Sequence, residues 1–231
     1  MKTVAILSQK GGSGKTTLAI HLAVAALEAG LTAMVADLDP QASASLWHKA
    51  RSHPLPHVQP THPVALSGLR QEAARQSLDL LLIDTAPQSD NPAVAAAEAA
   101  DLVLITCRPS VMDLRAIQNT IRLTRLAGVA PYVVLTQVDP FGTLQDEAVG
   151  TLTGLGVTVL TELMGRRVAY HHGLIDGRTA LEYEPEGKAA AESRALFRAV
   201  GRLAGLPSSH HEASQDEGRQ QEGRRVETSA A

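Results

Sequence analysis

The chain has 231 residues, of which 44% are hydrophobic and 3% aromatic, so it can bury a sizeable aliphatic core. Its net charge of −3 excludes binding to nucleic acid by bulk charge, and its one cysteine, Cys107, excludes an internal disulfide or a paired-cysteine metal site. No apolar run reaches the length of a membrane span, and no charged stretch precedes an apolar one at the start, which argues against a signal peptide and for a reducing, cytoplasmic compartment.

"KTVAILS" (2–8) reads as a strand, followed by the glycine-rich "QKGGSGKTT" and a helix over about 15–29. "TAMVAD" (32–37) is the next strand, ending in "DLDPQAS". The proline- and histidine-rich segment 52–63 reads as a loop. Its His53, His57 and His62 are irregularly spaced and lack acidic or cysteine partners, so we expect no metal site there. Helices are expected near 65–77, 91–99, 112–127, 143–154 and 187–204. Strands are expected at 79–84, 101–107, 131–137 and 157–162. These runs are continuously apolar, as strands covered on both faces are. The βαβα rhythm predicts a mostly parallel sheet with helices on both faces, a three-layer α/β/α unit over 1–206. Residues 207–231 form a polar tail that we expect to be disordered, without the apolar face of a membrane-binding helix.

Strand, glycine loop and helix together suit phosphate binding. Glycines let backbone N–H groups of Gly11, Gly12, Ser13 and Gly14 curl around phosphate oxygens, and the helix dipole adds to the attraction. Lys15 would reach the β and γ phosphates, and the Thr16 hydroxyl could ligate Mg²⁺, with Thr17 completing the cradle. "LLLIDTAP" supplies a second metal anchor, Asp84, at the carboxyl end of a buried strand. In "DLDPQAS", Asp37 and Asp39 divide two roles, one supporting the metal shell and the other orienting the attacking water. The common loop pattern G-x-x-x-x-G-K-[ST] would place a glycine where Gln9 stands, beside an extra lysine, Lys10.

"KGGSGKTT", "DLDPQAS" and "IDTAP", in this order and spacing, resemble the deviant-Walker-A ATPases of the P-loop NTPases, and within them the ParA type that partitions plasmids and chromosomes. The resemblance spans residues 2 to about 205. It implies ATP and Mg²⁺ as cofactors and an ATP-sandwich homodimer. In that dimer Lys10 would reach the partner's phosphates, Asp39 would be the acid needed for hydrolysis, and Asp84 would begin the second switch. A charge supplied in trans makes the dimer a readout of nucleotide state. The resemblance also places adenine recognition near Gln137, after the strand at 131–137.

Further along, the family shows a proline-arginine stretch and a basic C-terminal helix. Arg166 falls at the expected arginine, although Gly165 stands where the proline is expected. Arg194, Arg198 and Arg202, spaced i, i+4, i+8, share one helix face. Such a face touches DNA phosphates without reading bases; the alternative is a solvated face paired with Glu182, Glu186 and Glu192. Arg115, Arg122 and Arg125 form a second basic row. The resulting expectation is a nucleoid-associated ATPase that segregates plasmid or chromosomal DNA, with hydrolysis stimulated by a ParB-like or other small adaptor. A nucleoid-bound positioner of another cargo, a chemotaxis array or a microcompartment, would carry the same motifs. A membrane-cycling switch of the MinD type, an electron-transfer ATPase and a small-molecule ligase share the fold. They would need, respectively, an apolar C-terminal helix, two cysteines and a substrate pocket, none of which the sequence offers.

Overall fold

The computed structural model describes residues 1–87, 90–141 and 143–207. The expected polar tail, Pro207 apart, lies outside them. Eight parallel strands form one sheet: β1 (Lys2–Leu7), β2 (Ala33–Asp37), β3 (His57–Pro60), β4 (Leu80–Asp84), β5 (Leu102–Cys107), β6 (Pro131–Val138), β7 (Thr158–Val159) and β8 (Met164–Gly165). Their order is β3-β2-β4-β1-β5-β6-β7, with β8 on β6. The helices are α1 (Lys15–Glu28), α2 (Ser43–Ala50), α3 (Leu66–Arg75), α4 (Asp90–Ala99), α5 (Val111–Leu126), α6 (Leu144–Gly154), α7 (Ala169–His172), α8 (Ala180–Tyr183) and α9 (Lys188–Ala204). The three-layer α/β/α arrangement expected from the sequence is present. None of the described helices is long and apolar enough to cross a membrane.

The strands are apolar throughout because both faces are covered. Val4 and Ile6 of β1 pack with Leu18, Leu22, Leu196 and Val200 under α1 and α9. Ala5 and Leu7 face the other way, with Ile117, Ile121 and Leu152 under α5 and α6. Alternation along each strand thus feeds two separate cores.

Segment 52–63 is not wholly loop. Residues His57–Pro60 pair with Met34–Asp37 as the edge strand β3. Strand periodicity is masked there because one face is exposed and proline is tolerated only at an edge. Helix α2 was also absent from the sequence reading. It starts in an unusual place: Ala42 holds a left-handed φ of 53°, and Asp37 rather than a neighbouring cap accepts the Ser45 N–H.

One lock ties α2 to the C-terminal half. Arg51 donates to Gly177 O at 2.7 Å and to both Glu182 oxygens at 2.9 and 2.6 Å. Gly177 holds a φ of +77°, and a Cβ there would lie 2.6 Å from the Ala50 carbonyl carbon. Gly177→Ala is therefore expected to cost about 2–4 kcal/mol, through backbone strain plus displacement of Arg51. Urea denaturation measures it; an unchanged midpoint would refute the lock.

Candidate nucleotide site

The order reversal around β1 places its carboxyl end at the switch point of the sheet, where open α/β folds hold ligands. The loop after β1 turns there. Gly12 and Gly14 adopt φ of +70° and +87°, and Gly14 caps α1. The loop is tied backward to the sheet. Thr136 Oγ1 donates to Ser13 O at 2.7 Å, Gln137 Nε2 to Gly12 O at 2.7 Å, and Ser13 Oγ meets Thr106 Oγ1 at 3.0 Å. Among the described residues, no hydrogen bond uses the N–H groups of Gly11, Gly12, Ser13 or Gly14. They border a cavity of about 540 Å³, lined also by Lys15, Thr16, Thr17, Asp39, Trp47 and Leu174.

Two charges are buried beside this cavity. Lys15 is 6% exposed, and its Nζ finds only the Lys10 carbonyl, at 3.4 Å. Burial lowers its pKa, against the opposing pull of Asp84 and Asp39. Asp84 is fully buried; its Oδ2 accepts the Thr16 hydroxyl at 2.7 Å, and its Oδ1 has no partner. Burial pushes its pKa up to about 7, countered by the Thr16 bond and reinforced by the Asp37 charge. An orphaned carboxylate oxygen beside a hydroxyl, behind unsatisfied amides and an ammonium, fits a metal-bound triphosphate. No cluster of three or more His, Cys, Asp or Glu suited to a metal stands among the described residues, so phosphate oxygens and water would have to complete the shell.

The other sequence candidates separate. Asp39 lines the cavity and bonds only the Gln41 N–H, at 2.9 Å. Asp37, expected to support the metal shell, accepts hydrogen bonds from its own loop. Its Oδ2 accepts the Ser45 N–H and hydroxyl at 2.9 and 2.7 Å, and its Oδ1 accepts the Asp39 N–H at 3.2 Å. A buried carboxylate with three nearby donors is satisfied by them, so Asp37 braces the loop. Lys10 does not line the phosphate cavity. It borders a neighbouring hollow with Arg108, Met112, Asp139, Phe141 and Arg166. A third cavity, of about 330 Å³, lies behind Gly14 and Thr17 and is lined by Thr136, Gln137, Gly165, Arg167 and Tyr170. Gln137 thus borders it while bracing the loop. The sequence reading missed Thr106, Thr136 and Tyr170. A threonine at the carboxyl end of an otherwise apolar buried strand was the available signal.

The C-terminal arginines are mostly paired. Arg194 pairs with Glu28 at 2.8 Å, Arg202 with Glu162 at 3.3 Å and Arg166 with Asp139 at 3.2 Å. Arg198 is exposed, with no ion-pair partner among the described residues. Of the acids foreseen as partners, Glu182 serves Arg51 and Glu192 serves Arg167, while Glu186 acts on Arg194 through its charge.

The chain is 34% identical over 204 residues to maintenance of carboxysome distribution protein A of Gloeobacter kilaueensis, covering 86% of this chain and 92% of that one. The chain belongs to the MinD/ParA family of P-loop ATPases. The profile of the CobQ/CobB/MinD/ParA nucleotide binding domain matches residues 4–55. Another relative, the chromosome-partitioning ATPase Soj of Thermus thermophilus, is 26% identical over 238 residues, 87% of this chain and 95% of that one. Among solved structures, the septum site-determining protein MinD of Pyrococcus horikoshii, complexed with Mg-ADP, superposes with a TM-score of 0.74 at 20% identity, covering 88% and 97%. The family assignment makes this an ATPase with ATP and Mg²⁺ as cofactors.

The Asp84 shift gives a pH signature. Unfolded, this carboxyl titrates near 3.8; folded, near 7. Over that interval the nucleotide-free folded state holds a proton that the unfolded state has lost, so rising pH costs stability. Asp84→Asn does not ionise. Its stability relative to the wild type should rise between about pH 4 and 7 and then level off. Denaturation at stepped pH without nucleotide measures this, and a pH-independent difference would contradict it. The same variant should lose the Mg²⁺ dependence of nucleotide binding.

Proposed function

We propose that this ATPase positions a cargo other than a replicon by cycling on DNA. The 34% match to a carboxysome-distribution protein carries this reading. ATP would bring two copies together, the dimer would hold DNA phosphates without reading bases, and an adaptor on the cargo would stimulate hydrolysis and release. By analogy with that relative, the cargo is a protein-bodied microcompartment.

The chemistry assigned to each residue follows from its place. The loop amides and Lys15 would hold and orient the triphosphate, in a site where preorganised donors act without reorganising. Thr16 and Asp84 would hold Mg²⁺, which spreads the charge of the transferring phosphoryl group when bound. Asp39 would orient the attacking water, and Asp37 would keep its loop in register. Lys10, outside its own phosphate cavity and flanked by the exposed Met112 and Phe141, would serve the nucleotide of the second copy. Arg198 would contribute a DNA phosphate contact. A second reading, segregation of plasmid or chromosomal DNA, is favoured by the Soj match. Deleting the gene in its host separates them: dispersed or clumped compartments with stable replicons support positioning, and replicon loss supports partition.

Lys10→Ala should still bind ATP but fail to dimerise in it; a normal dimer on sizing would remove Lys10 from its trans role. DNA co-sedimentation should be ATP-dependent and fall with salt. Arg198→Glu should reduce the slope of log K against log salt by about two per dimer, one phosphate contact per copy. Binding to anionic vesicles but not to DNA would overturn the reading.

A further inference from the structure

The 330 Å³ cavity behind the phosphate loop has one wall built from the chain that follows β8, and that wall is held by a single carboxylate on α9. Glu192 Oε2 accepts the Gly165 N–H at 2.9 Å. Its Oε1 accepts Arg167 Nε and Nη2 at 3.0 and 2.8 Å. The Tyr170 hydroxyl lies 3.1 Å from Oε2 and 3.2 Å from Ala189 O. Gly165, Arg167 and Tyr170 all line the cavity, opposite Gly14 and Thr17.

Gly165 is necessary to this clamp in two ways. A proline there, as the resemblance would have it, has no N–H to donate. A Cβ there would meet Arg167 Nε at 2.8 Å, so the guanidinium would have to shift. The wall is also fixed from the loop side. The Tyr170 ring stands edge-on to His21, with centroids 5.0 Å apart. His21 Nε2 accepts the Ala180 N–H at 3.0 Å, so the proton is on Nδ1, which donates to Thr17 O at 2.7 Å. The wall is therefore spanned between His21, midway along α1, and Glu192, in the second turn of α9.

We propose that Glu192 is a positioning residue for the nucleoside of ATP. It sets the wall against which the base and ribose rest, and so the share of affinity that comes from the nucleoside rather than the triphosphate. The inference rests on reading this cavity as the nucleoside end of the ATP site, next to the phosphate loop. Glu192 touches no phosphate-binding group itself. Its loss should be felt at one end of the ligand only.

The test is calorimetric titration of the full chain with Mg-ATP and with Mg-tripolyphosphate, a probe that lacks the nucleoside. In Glu192→Gln, an isostere that turns an amide N–H₂ toward donors, ATP affinity should fall about tenfold while tripolyphosphate affinity stays unchanged. Arg167→Lys keeps the charge but not the fork. It should show the same selective loss and covers the case in which Glu192→Gln does not fold. Unchanged ATP affinity in both variants overturns the proposal. Equal losses for both ligands also overturn it, because the clamp is then only structural. Wild-type protein that binds ATP no tighter than tripolyphosphate would sink the reading of the cavity itself, and the proposal with it.

Discussion

An ammonium and a carboxylate, both buried at the carboxyl edge of the sheet and neither fully partnered, are what the rest of this molecule is arranged around. Lys15 has one long contact to a carbonyl, and Asp84 has an oxygen with no donor at all. Buried charges in that condition destabilise the protein that carries them. Elsewhere the fold leaves few such debts: Arg51 and Asp113 sit in bidentate ion pairs, and Arg167 gives two hydrogen bonds to one Glu192 oxygen. The exception therefore marks the place where a ligand completes the structure. A triphosphate supplies anionic oxygens to Lys15 and to the unused loop amides, and its metal supplies the missing partner of Asp84. Folding stability and nucleotide occupancy are linked for that reason.

The parallel sheet turns this local deficit into a shared one. Asp37 and Asp84 are register partners on adjacent strands, and Ile6 of β1 stands beside Asp84 on its other side. The phosphate loop and both acidic loops therefore leave the sheet side by side. Asp37 keeps its own loop closed through Ser45, at the start of α2. Helix α2 carries Trp47 into the phosphate cavity and Arg51 into the Glu182 lock. A displacement of the Asp39 loop by nucleotide would thus pull on α2, and through Arg51 on the segment before α9. Each link is a packed or hydrogen-bonded contact, the kind of connection through which two sites can be coupled.

The legible part of the sequence was the part whose physics is local. Continuous apolar runs gave β1, β2, β4, β5, β6 and the place of the short β7, and "GKTT" after the first of them gave the loop, because backbone conformation and phosphate affinity depend on adjacent residues. Helix α2 and β3 escaped because no periodic run marks them: Ala42 accepts a left-handed turn, Asp37 at the end of β2 caps α2 from eight residues upstream, and β3 forms by pairing with β2. Asp37 and Asp39 were indistinguishable for a related reason. Two acids at a strand tip look alike in sequence, and only Ser45, eight residues on, decides which of them is bound inward. The C-terminal arginines share helical spacing, yet their partners Glu28 and Glu162 lie far away in the chain, where no spacing argument reaches.

Those ion pairs bear on how such a chain could hold DNA at all. With a net charge of −3 and Arg194 and Arg202 paired, α9 of one copy offers few free cations. Electrostatic affinity rises steeply with the number of phosphates neutralised, since each contact releases counterions. Surface ion pairs are worth little, so Arg194 and Arg202 can exchange a carboxylate for a phosphate at small cost, but each exchange gains little as well. Joining two copies doubles the contacts on one duplex and makes the second set effectively intramolecular. A weakly basic face is then an advantage for a protein that must release. The single copy left after hydrolysis would fall below the affinity needed to stay bound, whereas a strongly basic face would hold DNA in every nucleotide state. The sparse charge of α9 and a trans role for Lys10 would make sense together: dimerisation, not the helix alone, would set the grip.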